Sequence, residues 1–365
     1  MTPAGTPPEH PPAGSPDRAV GALTGLAIGD ALGMPSQMMS RPEVLHRFGR
    51  RGVVGFEPGA ADHPLAAGRP AGSVTDDTDQ ALLLARMLVA GAGHVDATEF
   101  AGELLAWEAR MRASGSLDLL GPSTRAALAR LQAGAPAAES GRYGATNGAA
   151  MRVAGVGILM PADDLAALVD RVAETALVSH NTGVAIAGAA AVAAAVSAAL
   201  DGATVAEATE LAVEAAGLGA ARGHWVAAGQ VAPRIRWAVG LMDAGRPAES
   251  LELVYRLVGT SLASQESVPA AFAVLALCAD DPWQACLAAA SLGGDSDTIA
   301  AMAGAVGGAA HGTAGFPAQA IETVRRVNDL GIEPIAAGLL ALRRPPPAGP
   351  GPAADRRVER RESSR

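Results

Sequence analysis

The sequence contains no lysine; its 28 basic side chains are all arginines. Schiff-base catalysis and the phosphate-loop lysine are therefore excluded. Cysteine is nearly absent as well. Cys278 and Cys286 are too few for a disulfide framework and have no Cys or His partners at zinc spacing, so they read as reduced thiols of a cytoplasmic protein. Aromatic residues make up only 3% of the chain, which rules out a core of stacked rings. Positive charge is in short supply: 37 acidic residues give a formal net charge of −9 and a pI near 5.3. Nucleic acid is not an expected partner, because its binding rests on basic contacts to phosphate. The first residues show no basic stretch leading into an apolar core, so no signal peptide is expected. One long uncharged run exists, Gly183 to Leu200. It is mostly alanine, with no Trp, Tyr or basic residues flanking it, and reads as a buried central helix and not a membrane span.

What is present is a large helical domain. Residues 1–17 are rich in Pro and Gly, and residues 343–365 in Pro, Arg and Glu; both read as tails, the second an arginine-bearing solvated terminus. Residues 18–342 lack an internal linker and are expected to form one compact unit. Apolar residues recur at three- and four-residue spacing, as in Ala19 to Leu32, Thr78 to Val89, Ala97 to Arg112, Leu165 to Leu177, Val268 to Leu277 and Thr298 to Gly307, so the fold class is all-α. Many of these stretches offer Ala or Gly inward, which lets helix backbones approach closely.

Two acidic clusters stand far apart in the chain, Thr75-Asp76-Asp77-Thr78 and Gly294-Asp295-Ser296-Asp297-Thr298, and each opens a helix. One acid at a helix start is an ordinary cap. Two pairs brought to one site repel each other unless a cation lies between them, and all-oxygen donors select hard divalent ions. Between them, Gly144 to Arg152 forms a glycine-bearing turn with the Asn147 amide and one arginine, suited to a sugar hydroxyl or a diphosphate, or simply a structural Asn-Gly turn. His180 precedes the Ala-rich run as either a cap or a substrate contact. The segments 41–71 and 222–234 read as loops that shape specificity, with Phe48, Phe56, Trp225 and Trp237 as stacking or packing surfaces.

With these residues in view, the chain resembles the ADP-ribosylglycohydrolase family. The matching stretches are Gly21 to Gly33, Thr75-Asp76-Asp77-Thr78, Asn147-Gly148-Ala149-Ala150-Met151-Arg152, Ser179-His180 and Gly293-Gly294-Asp295-Ser296-Asp297-Thr298. The resemblance implies a compact all-α domain with two divalent cations, Mg2+ or Mn2+. Thr75, Asp76 and Asp77 would ligate one ion and Asp295 and Thr298 the other, with Asp297 bridging. Asn147, Gly148, Arg152 and His180 would lie along the ribose and diphosphate, and Asp297 and Asp77 would carry the chemistry. It further implies an ADP-ribosylated protein or a small nucleoside-like ribosyl compound as substrate; a monomer or small homo-oligomer is expected. One departure stands out: Gln37 occupies the place of an acid that the family often carries there. Either another acid such as Glu266 serves, or the cations suffice, or the protein binds its ligand without turnover. Terpenoid synthases fit less well, because Gln80 breaks their acidic signature, and DxDxT phosphatases are disfavoured by Ile299.

Overall fold

The computed structural model describes residues 14–343, whose regular secondary structure is helical, with two isolated backbone bridges as their only strand-like pairing. Expectations for the rest of both tails concern residues outside the described range. In chain order the first helices are α1 (Pro16–Gly33), α2 (Arg41–Phe48), α3 (Asp76–Ala90), α4 (Ala97–Ala113), α5 (Pro122–Gln132) and α6 (Ala137–Ser140). Then come the short α7 (Gly148–Met151) and α8 (Ala154–Leu159), the long α9 (Leu165–His180), α10 (Gly183–Leu200) and α11 (Val205–Gly219), and α12 (Val231–Gly240). The chain closes with α13 (Pro247–Leu253), α14 (Ser264–Leu277), α15 (Pro282–Ala290), α16 (Ser296–His311), α17 (Ala318–Val327) and α18 (Ile332–Leu342).

The Ala-rich run is α10, and every one of its residues is buried, as expected of a core helix. Beside it, α1 and α16 pack antiparallel with their backbones in contact. A Cβ at Gly21, Gly25 or Gly29 would lie 2.5, 2.1 or 2.0 Å from the carbonyl oxygen of Gly308, Gly304 or Ala300. Those glycines recur every fourth residue and so share one face. The last of the row is Gly33, where a Cβ would meet the Cα of Asp297 at 2.4 Å. The small-residue face thus delivers the start of α16 directly against the end of α1.

Both domain edges differ slightly from the sequence-based boundaries. Ser15 caps α1 by accepting the Arg18 amide, so order begins before residue 18. Arg18 donates to the carbonyls of Ala199, Ala309 and Ala310, collecting the C-terminal ends of α10 and α16. Arg343, assigned to the tail, is instead anchored on the carbonyls of Gly157, Ile158 and Met160. Each cation sits where helix carbonyls lack partners. Within the expected 41–71 loop, α2 forms on a Ser40–Glu43 capping box, and α12 begins inside the expected 222–234 loop. Phe56 packs edge-on against Trp283 at 6.0 Å, a core role, whereas Trp225 is 86% exposed.

Candidate active site

The two acidic clusters meet. Thr75 caps α3, its hydroxyl accepting the Asp77 amide and donating to Asp77 Oδ2 at 3.1 Å. From α16, the Thr298 hydroxyl donates to the same oxygen at 3.3 Å. That contact joins the segments across more than half of the chain. The turn into α16 uses Gly293 and Gly294 at φ +73° and +68°, a conformation that favours glycine. It is pinned by three backbone bonds: Gly294 N–H to Met39, Met38 N–H to Gly294, and Asp295 N–H to Thr260, each 2.7 Å. Gln37 is thereby brought to the edge of the second cluster. Its carbonyl accepts Nε2–H of the buried His63, whose Nδ1 accepts the Leu65 and Ala66 amides. A cavity of about 510 Å³ opens beside it, lined by Gln37, Met38, Met39, Glu43, His63 and Pro64 among others.

Asn147 completes the cluster from a third direction. Its amide donates to Asp295 Oδ2 at 2.5 Å and to the Ser267 hydroxyl at 2.9 Å. Gly148 lies on the His180 ring, so close that a Cβ would be 2.7 Å from Cε1. Arg152 and His180, which the resemblance places along the ribose and diphosphate, are fully enclosed, at 1% and 0% exposure. They form a buried chain of hydrogen bonds. Thr146 bonds His180 Nε2 at 2.9 Å, His180 Nδ1 bonds Ser179 at 2.8 Å, and Arg152 donates to Ser179 at 2.5 Å and to Gln80 at 3.3 Å. Gln80 in turn donates to Asp76 Oδ2 at 2.7 Å. The Ser179 hydroxyl, which accepts from Arg152 and has a second lone pair and a proton to spare, links the guanidinium to His180 Nδ1. Burial, and then the nearby Arg152, holds His180 well below its ordinary pKa and thus neutral. Arg152 itself is lowered to about 10 by burial, lies over the Phe100 ring at 4.9 Å, and stands behind Asp76 as a counter-charge. Glu266 sits on the first turn of α14 with its carboxylate accepting the Ser261 amide at 3.2 Å, so it serves the backbone of a neighbouring loop.

Two carboxylates that received no role in the sequence reading border the cluster. Asp30, fully buried in α1, accepts the amides of Thr75 and Thr78 and the Thr78 hydroxyl. Its signal was an acid inside the apolar Gly21-to-Gly33 stretch. Asp118, from the loop before α5, accepts the Asp76 amide at 3.2 Å and Arg69 at 2.9 Å. Nothing in its local sequence marks it. Burial raises both to a pKa of about 6. Burial first, and then the neighbouring carboxylates, push Asp76, Asp77 and Asp297 well above the usual range. Asp295 is raised by burial.

The donor set suits hard cations. Asp77 Oδ1 and Asp297 Oδ1 are buried with no hydrogen-bond partner, an arrangement too costly to leave uncompensated. Threonine hydroxyls stand beside them, and nitrogen and sulfur ligands are absent from the cluster. Among the described residues no three acidic, histidine or cysteine side chains close on one point. A groove of about 860 Å³, lined by His94, Arg171 and Glu174 among others, shares no residue with this site.

An all-α domain gathering carboxylates at the starts of two helices defines, with its relatives, a glycosidase of the hydrolase class. The chain belongs to the ADP-ribosylglycohydrolase family, whose sequence pattern matches residues 11–348. It is 35% identical over 328 residues to the uncharacterized protein YegU of Escherichia coli (strain K12), covering 90% of this chain and 97% of that one. It is 30% identical to the ADP-ribosylarginine hydrolase Tri1 of Pseudomonas putida (strain GB-1), over 84% of this chain and 74% of the relative. The ADP-ribosyl-[dinitrogen reductase] glycohydrolase of Rhodospirillum rubrum matches at 32% over 37% of this chain and 42% of its own. A solved structure of an ADP-ribosylglycohydrolase-related protein complex shares the fold with a TM-score of 0.60 at 24% identity, covering 90% of this chain and 99% of that one.

Proposed function

We propose that this protein hydrolyses the N- or O-glycosidic bond at ribose C1 of an ADP-ribosyl group, using two divalent cations, Mg2+ or Mn2+. Thr75, Asp76, Asp77, Asp295, Asp297 and Thr298 would hold them. The observation that carries the reading is the pair of buried, unpartnered oxygens, Asp77 Oδ1 and Asp297 Oδ1, on segments joined by Thr298. Bound cations supply charge compensation for the carboxylates and polarise the ribose hydroxyls and water that they touch.

The chain's own groups do the rest. Asn147 fixes the Asp295 carboxylate, and the Arg152–Gln80 pair fixes Asp76, so two acids on the rim keep their orientation as substrate enters. Asp297 takes a proton from the attacking water as the water oxygen adds at C1 and passes it to the departing nitrogen or oxygen as the bond from C1 breaks, so the leaving group departs protonated. The transition state develops positive charge on the ribose, which the acidic surroundings favour. The names of the Pseudomonas and Rhodospirillum relatives support an ADP-ribosylated protein as substrate; a small nucleoside-like ribosyl compound fits the same chemistry.

Gln37 favours a second reading, binding without turnover, because an amide cannot accept a proton. Purified protein supplied with Mn2+ and ADP-ribosylated arginine peptides separates the two. Release of ADP-ribose that Asp297→Ala abolishes supports the hydrolase, whereas ligand affinity by calorimetry with no product, and product only after Gln37→Glu, supports the second.

A further inference from the structure

We propose that Glu266 is a positioning residue: its carboxylate braces the 259–263 segment, whose carbonyls set Asn147 and Asp295 against each other. The inference deepens the hydrolase reading and rests on it for its kinetic consequence.

The segment follows a single π-helical turn, Val254–Val258, which ends at Gly259 with φ +91°. Such turns are frequent at functional sites. At Gly259 a Cβ would lie 2.4 Å from Glu266 Oε2, so glycine is what lets the carboxylate seat there. Two residues on, the Ser261 amide donates to the same oxygen at 3.2 Å. Glu266 thus touches the chain on both sides of Thr260. The Thr260 carbonyl accepts the Asp295 amide at 2.7 Å, and the Leu262 carbonyl accepts the Asn147 amide at 2.9 Å. Thr146 and Ala263 pair as an antiparallel bridge directly beside them. The two residues held this way are those whose side chains meet, Asn147 Nδ2 to Asp295 Oδ2 at 2.5 Å, and Ser267, next to Glu266, accepts the other Asn147 bond. What this arrangement needs from residue 266 is an oxygen acceptor of the right length, a role that does not involve taking a proton. Its place in the first turn of α14 suits the negative charge.

The test compares Glu266→Gln, Glu266→Ala and Gly259→Ala in the full chain, reading hydrogen exchange at the Asn147 and Asp295 amides, Mn2+ binding by calorimetry, and the pH profile of kcat. Glu266→Gln keeps the acceptor, and its exchange, Mn2+ affinity and pH profile should match the wild type. Glu266→Ala removes the brace and Gly259→Ala displaces it; both should speed exchange at the two amides and cost about tenfold or more in Mn2+ affinity and kcat, the scale of lost support behind a ligand. Should Glu266→Ala fail to fold, Gly259→Ala and Glu266→Gln still decide. Loss of turnover in Glu266→Gln together with one limb of the pH profile, exchange and Mn2+ binding unchanged, would make Glu266 the base and overturn the proposal. Unchanged exchange in Gly259→Ala would overturn it too. A wild type that releases no ADP-ribose defeats the hydrolase reading, while the exchange rates still decide whether Glu266 positions.

Discussion

Asp30, on the last turn of α1, accepts the Thr78 hydroxyl at 2.5 Å and the Thr78 amide at 3.1 Å. An acid from one helix therefore caps the start of another, and it also takes the Thr75 amide at 2.9 Å. That leaves Asp76 and Asp77 free of capping duty and available to a ligand. Asp30→Ala strips partners from three buried donors, at about 1–3 kcal/mol for each unsatisfied group at most. We expect a loss of about 3 kcal/mol in urea unfolding and about 1 kcal/mol for Thr78→Val. An Asp30→Ala protein as stable as the wild type would refute this role.

Gly33 separates packing from chemistry. A Cβ there meets Asp297 Cα at 2.4 Å, whereas a Cβ at Gly25 meets the Gly304 carbonyl at 2.1 Å, well along the same helix pair. Each alanine substitution should destabilise by about 1–3 kcal/mol through overpacking. Only Gly33→Ala should also abolish Mn2+ binding, because it displaces Asp297. Equal Mn2+ affinities for the two variants, measured by calorimetry, would contradict this.

The long helices were legible in the sequence, as was the all-α class, because α3, α9 and α16 carry the 3.6-residue pattern over three turns or more, and α1 and α10 are long, mostly apolar stretches without turn signals. Helices such as α2, α7 and α8 were not: they are short, and tertiary contacts set them more than periodicity does. The two acidic clusters were legible for a different reason, since like charges side by side have few structural uses. Asp118 was not, because its meaning comes from Arg69 and Asp76, residues it meets only in space. Arg152 and His180 lie fully buried, a placement the sequence did not show, because sequence cannot tell a side chain facing a ligand from one lying a layer beneath it.

Asp118 offers a test of indirect support. It holds the Asp76 amide, and Arg69 holds Asp118 while also donating to the Val74 carbonyl at 2.5 Å. Removing either partner should loosen Asp76 without deleting a donor to the cation. Asp118→Ala and Arg69→Ala should each weaken Mn2+ binding by about tenfold, and the double variant should lose little more, because the two act as one unit. Losses that simply add in calorimetric titration would show that they act separately.

The raised carboxylates predict a pH dependence with a definite sign. Asp30 and Asp118 titrate at about 6 in the folded protein and Asp76, Asp77 and Asp297 higher still, because burial and mutual repulsion disfavour their charges. A carboxyl whose folded pKa lies above its unfolded one contributes stability below the unfolded value that is lost as pH rises through the folded value. The metal-free protein should therefore lose stability from these groups as pH climbs through 6 and beyond. Divalent cations bind the ionised forms, so the rise in Tm on adding Mn2+ should be small at pH 5 and large at pH 8. A Mn2+ effect that is equal at both, or greater at pH 5, would contradict the assignment.

The most direct measurement is release of ADP-ribose from an ADP-ribosylarginine peptide, followed by mass spectrometry, with wild type and Asp297→Ala each assayed with Mn2+ and with excess chelator. Turnover only in the wild type and only with the cation is the predicted result. Turnover that survives both the chelator and Asp297→Ala would contradict the account.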